Sequence, residues 1–495
     1  MASTRRPDDR GTLVIDDGGS VPLVTGPGVH VFAADALGDR DATAVAHTIR
    51  RREISAGEAV EAAIARAERF GRQIEAIAYA DFDSAQGRAA AMTPNGGFSG
   101  VPTFIKDNVD VRGLPTNHGT LAYVGRPAVR DDDIARQYLA QGVVNLGKSK
   151  LPEFGFNATT EYAEGEPTRN PWNPAYSAGA SSGGAAALVA AGVVPIAHAN
   201  DGGGSIRIPA AACGLVGLKP TLGRLLTSRS SRSLPLKVVC DGVLTRSVRD
   251  TAAFLAGAEL FRPHPTLAPI GEVTRPGTAR LRIGVVLDSA TGHPTDDETR
   301  VAVLRVADLL AELGHDVTEM ELPPLQRFTD DFALYWGMLA FLVASTGRWV
   351  IGRDFDRGRL DNLSIGLSRM YGRAVWRTPG IFRRLRGITG VYQQVFAQRD
   401  VVLSPVLSHT TPTLGHLSPR QPFERLMDRL RRYVGFTPLN NVAGGPAMSL
   451  PLGAASNGLP IGVHFSAALG AERTLLELAY ELEEARPFRS ITDLA

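Results

Sequence analysis

The chain has 495 residues, of which 44% are hydrophobic and 21% are charged, and its formal net charge at pH 7 is +2. These fractions are typical of a globular protein with a large core. The small net charge argues against nucleic acid or an anionic membrane as a partner. With two cysteines, Cys213 and Cys240, a disulfide framework is not expected. We expect these to be buried free thiols in a reducing cytoplasm. No apolar run is long enough to cross a bilayer.

The N-terminal third begins with an irregular arm over residues 1–37, which mixes charged residues, Gly and Pro. Helical spacing of apolar residues then runs from 42 to 70. Ser55 precedes Glu58 by three residues, which predicts a capping box at the start of a second helix. The elements expected next are a strand at 74–79, a helix at 84–92, a helix at 134–140 and a strand at 143–146.

A buried strand is predicted at 101–105, and Lys106 follows it directly. A lysine in this position usually reaches the surface with its stem packed on apolar neighbours. A buried lysine can instead lose its proton and act as a base. That role requires its pKa to fall from about 10.4 to near 7, a change of about 4 kcal/mol.

The second half alternates between strands and helices, which indicates an α/β sheet. Strands are predicted at 281–287, 315–322, 400–407, 440–452 and 459–465, and helices at 245–260, 296–313, 423–433 and 471–484. The span 330–399 differs, because it holds three tryptophans and many arginines. One interpretation is a nucleic-acid surface. A mainly helical insertion over the functional site fits the low total charge better.

Two serines lie in glycine-rich surroundings in the middle of the chain. Gly179, Gly183 and Gly184 flank Ser181, while the run 202–204, all glycine, precedes Ser205. Such glycines can simply form tight turns. They also let the backbone approach a ligand and present N–H groups beside a hydroxyl, as a nucleophile with an oxyanion hole requires. Together with Lys106, the pair of serines favours catalysis.

Two other hydrolase patterns fit less well. The segment 179–183 matches G-x-S-x-G, but two prolines and no apolar run precede it, so a strand–turn–helix elbow is not expected. The histidines have no metal-ligand spacing. Residues 131–133, all aspartate, look like a metal cluster without partner ligands, and a solvated helix start explains them better. We therefore expect neither a metal nor a cofactor.

Three separated motifs resemble the amidase signature family. They are Lys106 after Gly100-Val-Pro, the Gly-Ala-Ser-Ser-Gly-Gly run at 179–184, and Asp-Gly-Gly-Gly-Ser-Ile-Arg-Ile-Pro-Ala at 201–210. The order of elements is similar from about residue 38 to the end. The patterns at 168–174 and 197–201 are similar to bacterial amidases of the 6-aminohexanoate-cyclic-dimer hydrolase type. The resemblance implies one large α/β/α domain over 38–495 with a mixed central sheet flanked by helices.

The resemblance also implies roles for individual residues. Ser205 would be the nucleophile that forms an acyl-enzyme, and Ser181, at a cis peptide bond, would relay its proton to Lys106. The backbone N–H groups of Gly202, Gly203, Gly204 and Ser205 would form the oxyanion hole. The structural support of the site would come from Ser182, Asp201 and Arg207.

The implied function is the hydrolysis of a small linear amide, without a cofactor, with side activity on esters. A homodimer is the expected assembly, with no nucleic-acid or membrane partner. The alternative is a glutaminase subunit of a tRNA-dependent amidotransferase, which typically has Gln where Ile208 stands. We expect the pocket to be lined by 116–122, 161–174, 330–399 and 436–441. Within the insertion, Phe332, Tyr335 and Trp336 suggest an apolar substrate group, or they belong to a helix core.

Overall fold

The computed structural model describes residues 12–14, 20–22 and 28–494, except for 93–95, 290–291, 324 and 326. Much of the irregular arm predicted at 1–37 therefore lies outside the described residues. Within that arm, the two short segments at 12–14 and 20–22 pair as antiparallel strands. Val31 and Leu37 are buried in the main core.

The strands follow one another along the whole chain. They are β1 Thr12–Val14, β2 Ser20–Pro22, β3 Ile77–Ala80, β4 Pro102–Lys106, β5 Val144–Ser149, β6 Arg169–Asn170, β7 Asn173–Ser177, β8 Ile196–Asp201, β9 Val216–Lys219, β10 Cys240–Thr245, β11 Arg282–Val285, β12 Asp316–Glu319, β13 Val401–Pro405, β14 Ala447–Ala454 and β15 Pro460–Ala467.

The α-helices alternate with these strands. They are α1 Ala42–Arg50, α2 Ala56–Ile74, α3 Phe82–Ala90, α4 Asp133–Leu139, α5 Gly183–Ala190, α6 Arg207–Cys213, α7 Arg229–Arg232, α8 Val248–Phe261, α9 Asp297–Glu312, α10 Phe328–Val350, α11 Asn362–Gly372, α12 Thr378–Gln398, α13 Phe423–Tyr433, α14 Pro438–Ala443 and α15 Glu472–Ala485.

An eight-stranded sheet forms the centre of the molecule, in the order β12-β11-β13-β15-β14-β9-β10-β8. Strand β11 pairs in parallel with β12 and β13, and the remaining pairs are antiparallel, so the sheet is mixed. A three-stranded sheet, β3-β5-β4, lies beside its β8 edge. Helices pack on this sheet system through one large apolar core. The predicted α/β class with a mixed sheet is confirmed.

Several local predictions are confirmed by specific contacts. The Ser55 N–H donates to Glu58 (2.7 Å) and the Glu58 N–H donates to the Ser55 hydroxyl (3.1 Å), which is a complete capping box. The predicted aspartate-rich helix start is also present, with Asp132 just before α4. Both cysteines are buried and free.

Other local predictions are wrong. Strand was expected from residue 440, but 438–443 is the helix α14, which has proline in its first turn and ends at Gly444 with φ +85°. Helix was expected from Thr245, but Thr245 ends strand β10 and the helix α8 begins after Ser247, whose hydroxyl accepts from Asp250 N–H. The segment before Ser181, whose two prolines and missing apolar run argued against a strand–turn–helix elbow, contains the strand β7.

Candidate active site

Lys106 is the last residue of strand β4, and its side chain is fully buried. Its Nζ donates to Ser181 Oγ (2.7 Å), Ser182 Oγ (2.9 Å) and Asn200 Oδ1 (2.7 Å). The backbone oxygen of Asn200 lies 3.4 Å away. The surface position usual for a lysine after a strand is therefore excluded. The amine instead hydrogen-bonds to Ser181 and Ser182 and to Asn200 of strand β8, which ends just before the loop that carries Ser205.

The electrostatic surroundings of Lys106 suit a base. Burial removes water from the ammonium form and lowers the pKa of Lys106 to about 7, while the carboxylates of Asp201 and Asp241 partly oppose that change. A pKa near 7 leaves a large neutral fraction at physiological pH, and that fraction can accept a proton.

Ser181 and Ser182 lie in the turn that leads into α5. The peptide bond between Ala180 and Ser181 is cis. The Ser182 hydroxyl also donates to the backbone oxygen of Asn200 (3.3 Å). Gly155 adopts φ +72°, and a Cβ placed on it would lie 3.0 Å from Ser181 Oγ. The Ser181 hydroxyl is thus held between Lys106 and the backbone of Gly155.

The loop that carries Ser205 runs from the end of β8 to α6, which begins two residues after this serine. The Gly204 N–H donates to the Asp201 carboxylate (2.6 Å), so this group is already occupied within the loop. The N–H groups of Gly202, Gly203 and Ser205 have no hydrogen-bond partner among the described residues. The carbonyl of Gly203 accepts from the Thr437 hydroxyl (2.7 Å), which fixes the loop from the α14 side.

Asp201 and Arg207 form a fully buried ion pair, with Nε–Oδ2 at 2.9 Å and Nη2–Oδ1 at 3.0 Å. The guanidinium lowers the pKa of Asp201 well below its usual value, although burial alone would raise it. Two asparagines of α14 complete the network, because Asn440 and Asn441 accept from Arg207 and Asn441 also donates to Asp201. This network braces the loop that holds Ser205.

Several residues of this site were not anticipated. His198 and Asn200 alternate along β8 and so share one face of it. Asn200 Oδ1 accepts from the side-chain amine of Lys106. The His198 Nδ1 accepts from the backbone N–H of Lys106 (3.4 Å), and its Nε2 lies 3.1 Å from Asp241 Oδ1. The available signal was a pair of polar side chains, two residues apart, in a buried strand directly before the glycine run. Gly155 had no comparable local signal. Asn440 and Asn441 fall in the segment 436–441 expected at the pocket, but their contacts with Arg207 were not predicted.

An apolar cavity of about 120 Å³ contains Ser205. Its walls come from the 155–158 segment and from helices α10, α11 and α13, and they include Phe156, Phe332, Trp336, Leu363, Leu367, Met427, Leu430 and Val434. Gly202 and Gly203 pack directly beneath Trp336 and Phe332, since a Cβ on either glycine would lie within 3.3 Å of those rings.

The pocket prediction is correct in part. Of the predicted segments, 330–399 lines the cavity with residues that include Phe332 and Trp336, and 436–441 lines it with Pro438. Tyr335 does not line it. It is buried in an apolar cluster behind Phe328 and Phe332, and its hydroxyl donates to the Leu236 carbonyl (2.5 Å). The described residues of 116–122 and 161–174 also lie outside the cavity walls, where 155–158 and α13 stand instead.

Two features of the described residues concern metals and membranes. Among those residues, no group of three or more His, Cys, Asp or Glu side chains is placed to hold a metal ion. No helix in the same part of the chain has the length and apolar character needed to cross a membrane.

Known proteins resemble this chain over nearly its whole length. The family model described as Amidase matches residues 58–476. The protein named "Putative amidase AmiC" from Mycobacterium tuberculosis is 52% identical over 466 residues, which cover 94% of this chain and 98% of that protein. The 6-aminohexanoate-cyclic-dimer hydrolase of Paenarthrobacter ureafaciens is 34% identical over 91% of this chain and 95% of its own.

The solved structures give the same result. A structure of 6-aminohexanoate cyclic dimer hydrolase complexed with substrate has a TM-score of 0.83 at 33% identity and covers 93% of this chain and 100% of its own. These matches agree with the motifs around Lys106, Ser181 and Ser205 and with the mixed sheet. The chain therefore belongs to the amidase signature family and is an amidase, a hydrolase that acts on amides.

Proposed function

We propose that the protein hydrolyses small linear amides through an acyl-enzyme on Ser205, with Ser181 and Lys106 as the proton relay. The observation that carries this proposal is the 2.7 Å contact between Lys106 Nζ and Ser181 Oγ in a fully buried setting. A buried lysine with a pKa of about 7 next to a serine hydroxyl is chemically suited to accept that hydroxyl's proton.

In the first half-reaction, Ser205 Oγ attacks the amide carbon while its proton passes to Ser181 and the proton of Ser181 passes to Lys106. The protonated relay then returns a proton to the leaving nitrogen as the C–N bond breaks. In the second half-reaction, water attacks the acyl ester, again with the relay as base. The products are a carboxylate and ammonia or an amine.

The negative charge on the tetrahedral intermediate would be held by backbone N–H groups of the loop. Gly202, Gly203 and Ser205 are the candidates, because their N–H groups have no partner within the described residues. Gly204 is not a candidate, because its N–H already donates to the Asp201 carboxylate. The ion pair of Asp201 with Arg207, together with Ser182, would keep the donors and the relay in position.

Esters should also be cleaved, since an alkoxide or phenoxide leaving group needs less proton delivery than an amine.

A cytoplasmic location fits the two free thiols, Cys213 and Cys240. A homodimer remains a prediction, to be checked by light scattering of the purified protein.

The test is a panel of simple amides, anilides, esters and glutamine, assayed with wild-type and Ser205→Ala protein in parallel. Amine release from simple amides that disappears in Ser205→Ala is the expected result. Equal turnover by both proteins would refute the acyl-enzyme. Activity on glutamine alone would instead favour the alternative, a glutaminase subunit of a tRNA-dependent amidotransferase.

A further inference from the structure

The apolar cavity has one charged side chain in its wall. Among the described residues that line it, the polar ones are Ser205, Asn157, Thr329 and Arg431, and only Arg431 carries a charge. Asn157 is already satisfied, because its amide donates to the Leu417 carbonyl and its oxygen accepts from Ala158 N–H. Arg431 is therefore the group that stands out in this cavity.

Helix α13 places Arg431 on the side that faces the cavity. Met427, Leu430 and Val434 lie three or four residues from one another or from Arg431, so all four share one side of the helix. Arg431 also borders a wider surface groove of about 910 Å³, to which Asp330 contributes. The guanidinium thus stands where the apolar cavity meets the outer groove.

The hydrogen bonding of Arg431 is incomplete. Its Nε is buried and has no partner within the described part of the chain. Its Nη2 contacts Asp330 Oδ1 at 3.2 Å, and the side chains are 38% and 54% exposed. A pair this exposed contributes little to stability. Another anion that binds Arg431 can therefore displace Asp330, whose carboxylate would then be solvated. An unused buried donor next to a weak ion pair is suited to bind a carboxylate.

We propose that Arg431 selects amides whose acyl chain is apolar and ends in a carboxylate. This inference rests on the proposed function, because an acyl chain bound to Ser205 would fill the cavity that contains that serine. The chain would lie against Phe156, Trp336 and Leu430, and its terminal carboxylate would take the Nε and Nη donors of Arg431 in place of Asp330.

The competing possibility is a chain that ends in an ammonium group. The outer groove also contains Glu319 and Glu321, besides Asp330, and these carboxylates would attract a cation. Arg431 lies nearer to the apolar wall, since it lines both the cavity and the groove, whereas those carboxylates line the groove alone. The end of an acyl chain that leaves the cavity would therefore reach Arg431 before these carboxylates, which favours an anionic end group.

The test uses three p-nitroanilides whose acyl chains, each with four methylene groups, end in a methyl group, a carboxylate or an ammonium group. We expect the carboxylate substrate to have the highest kcat/KM in the wild type. The variant Arg431→Gln should lower that value about tenfold or more, with the methyl substrate changed less than about twofold. Asp330→Asn should raise turnover of the carboxylate substrate.

The matched control is Arg432→Gln, because Arg432 is the next residue and pairs with Asp428 on the exposed side of α13. Its three kcat/KM values should equal those of the wild type. A preference for the ammonium substrate, or an equal fall for all three substrates in Arg431→Gln, would overturn the inference. Thermal unfolding of each variant shows whether the fold is kept.

Binding provides a second readout that needs no turnover. The same three compounds are titrated by calorimetry into the Ser205→Ala variant and into the double variant that also carries Arg431→Gln. Tightest binding of the carboxylate compound, lost with Arg431→Gln, supports the inference even if Ser205 is not the nucleophile. Equal affinities would refute it, whereas Ser205-independent turnover would refute only the proposed mechanism.

Discussion

Lys106 Nζ lies 2.7 Å from Ser181 Oγ, although the two residues are 75 positions apart in the chain. Strand β4 carries the amine and the turn before α5 carries the hydroxyl. The contact therefore depends on how α5 and the turn before it pack against β4.

Lys106→Met removes the amine and keeps an unbranched side chain of similar length. We expect kcat on a simple anilide to fall by about 10²–10⁴-fold, because the relay loses its terminal base. Lys237→Met is the control, since Lys237 is exposed and bonds only to nearby carbonyls. Steady-state kinetics of both variants check this. Turnover by Lys106→Met within a few fold of the wild type would contradict it.

The pH profile should report the pKa of Lys106. The neutral amine is the active form, so kcat/KM should rise with pH and level off above about 7. Asp241 raises the pKa of Lys106, so Asp241→Asn should move the rising limb to lower pH. Asp428→Asn, on the exposed face of α13, should leave the limb in place. A limb that moves to higher pH in Asp241→Asn would disprove this electrostatic account.

Gly155→Ala tests the space around Ser181. The new Cβ would lie 3.0 Å from Ser181 Oγ, which should disturb the relay and lower kcat. Gly165→Ala is the matched control, because Gly165 also has a positive φ, +99°, but open space around it. Both variants should lose about 1 kcal/mol of stability from backbone strain, while only Gly155→Ala should lose activity. Similar kcat values for the two variants would remove Gly155 from the account.

Arg207→Met leaves the buried Asp201 carboxylate without its counter-charge. We expect the free energy of unfolding to fall by about 3–5 kcal/mol. Arg432→Met breaks an exposed pair and should change stability by less than about 1 kcal/mol. Thermal unfolding of both variants measures the difference. If the two variants melt alike, the network around Asp201 does not brace the loop.

Trp336→Ala should enlarge the cavity that contains Ser205 and shift the preference toward longer acyl chains. Each methylene group that finds apolar space adds about 0.8 kcal/mol of binding, or roughly fourfold in kcat/KM. Tyr335→Phe is the control, because Tyr335 is the neighbouring residue on α10 and does not line the cavity. Relative kcat/KM over a series of chain lengths shows the shift. An unchanged chain-length preference in Trp336→Ala would exclude Trp336 from the acyl pocket.

The sequence predicted those parts of the site that depend on local patterns. A strand that ends at Lys106 and glycine runs at Ser181 and Ser205 are visible along the chain, and so is the amphipathic helix α9. The α/β class followed from the alternation of such elements. The capping box at Ser55 is also local, and the structure confirms it.

The remaining parts depend on contacts between distant segments. Asn440 and Asn441 reach Arg207 across more than 200 residues, and the strand expected at their position is a helix. Gly155 faces Ser181 only because of the tertiary fold. The wall formed by α13 was missed for the same reason, since its sequence shows an amphipathic helix but not what its apolar side covers.

The central claim, that Ser205 is the nucleophile, is tested most directly by labelling with a fluorophosphonate and mapping the modified peptide by mass spectrometry. The account predicts one label on Ser205, loss of amidase activity in proportion to labelling, and no label in Ser205→Ala. Lys106→Met should label much more slowly. A label on another serine, or full activity after Ser205 is modified, would contradict the account.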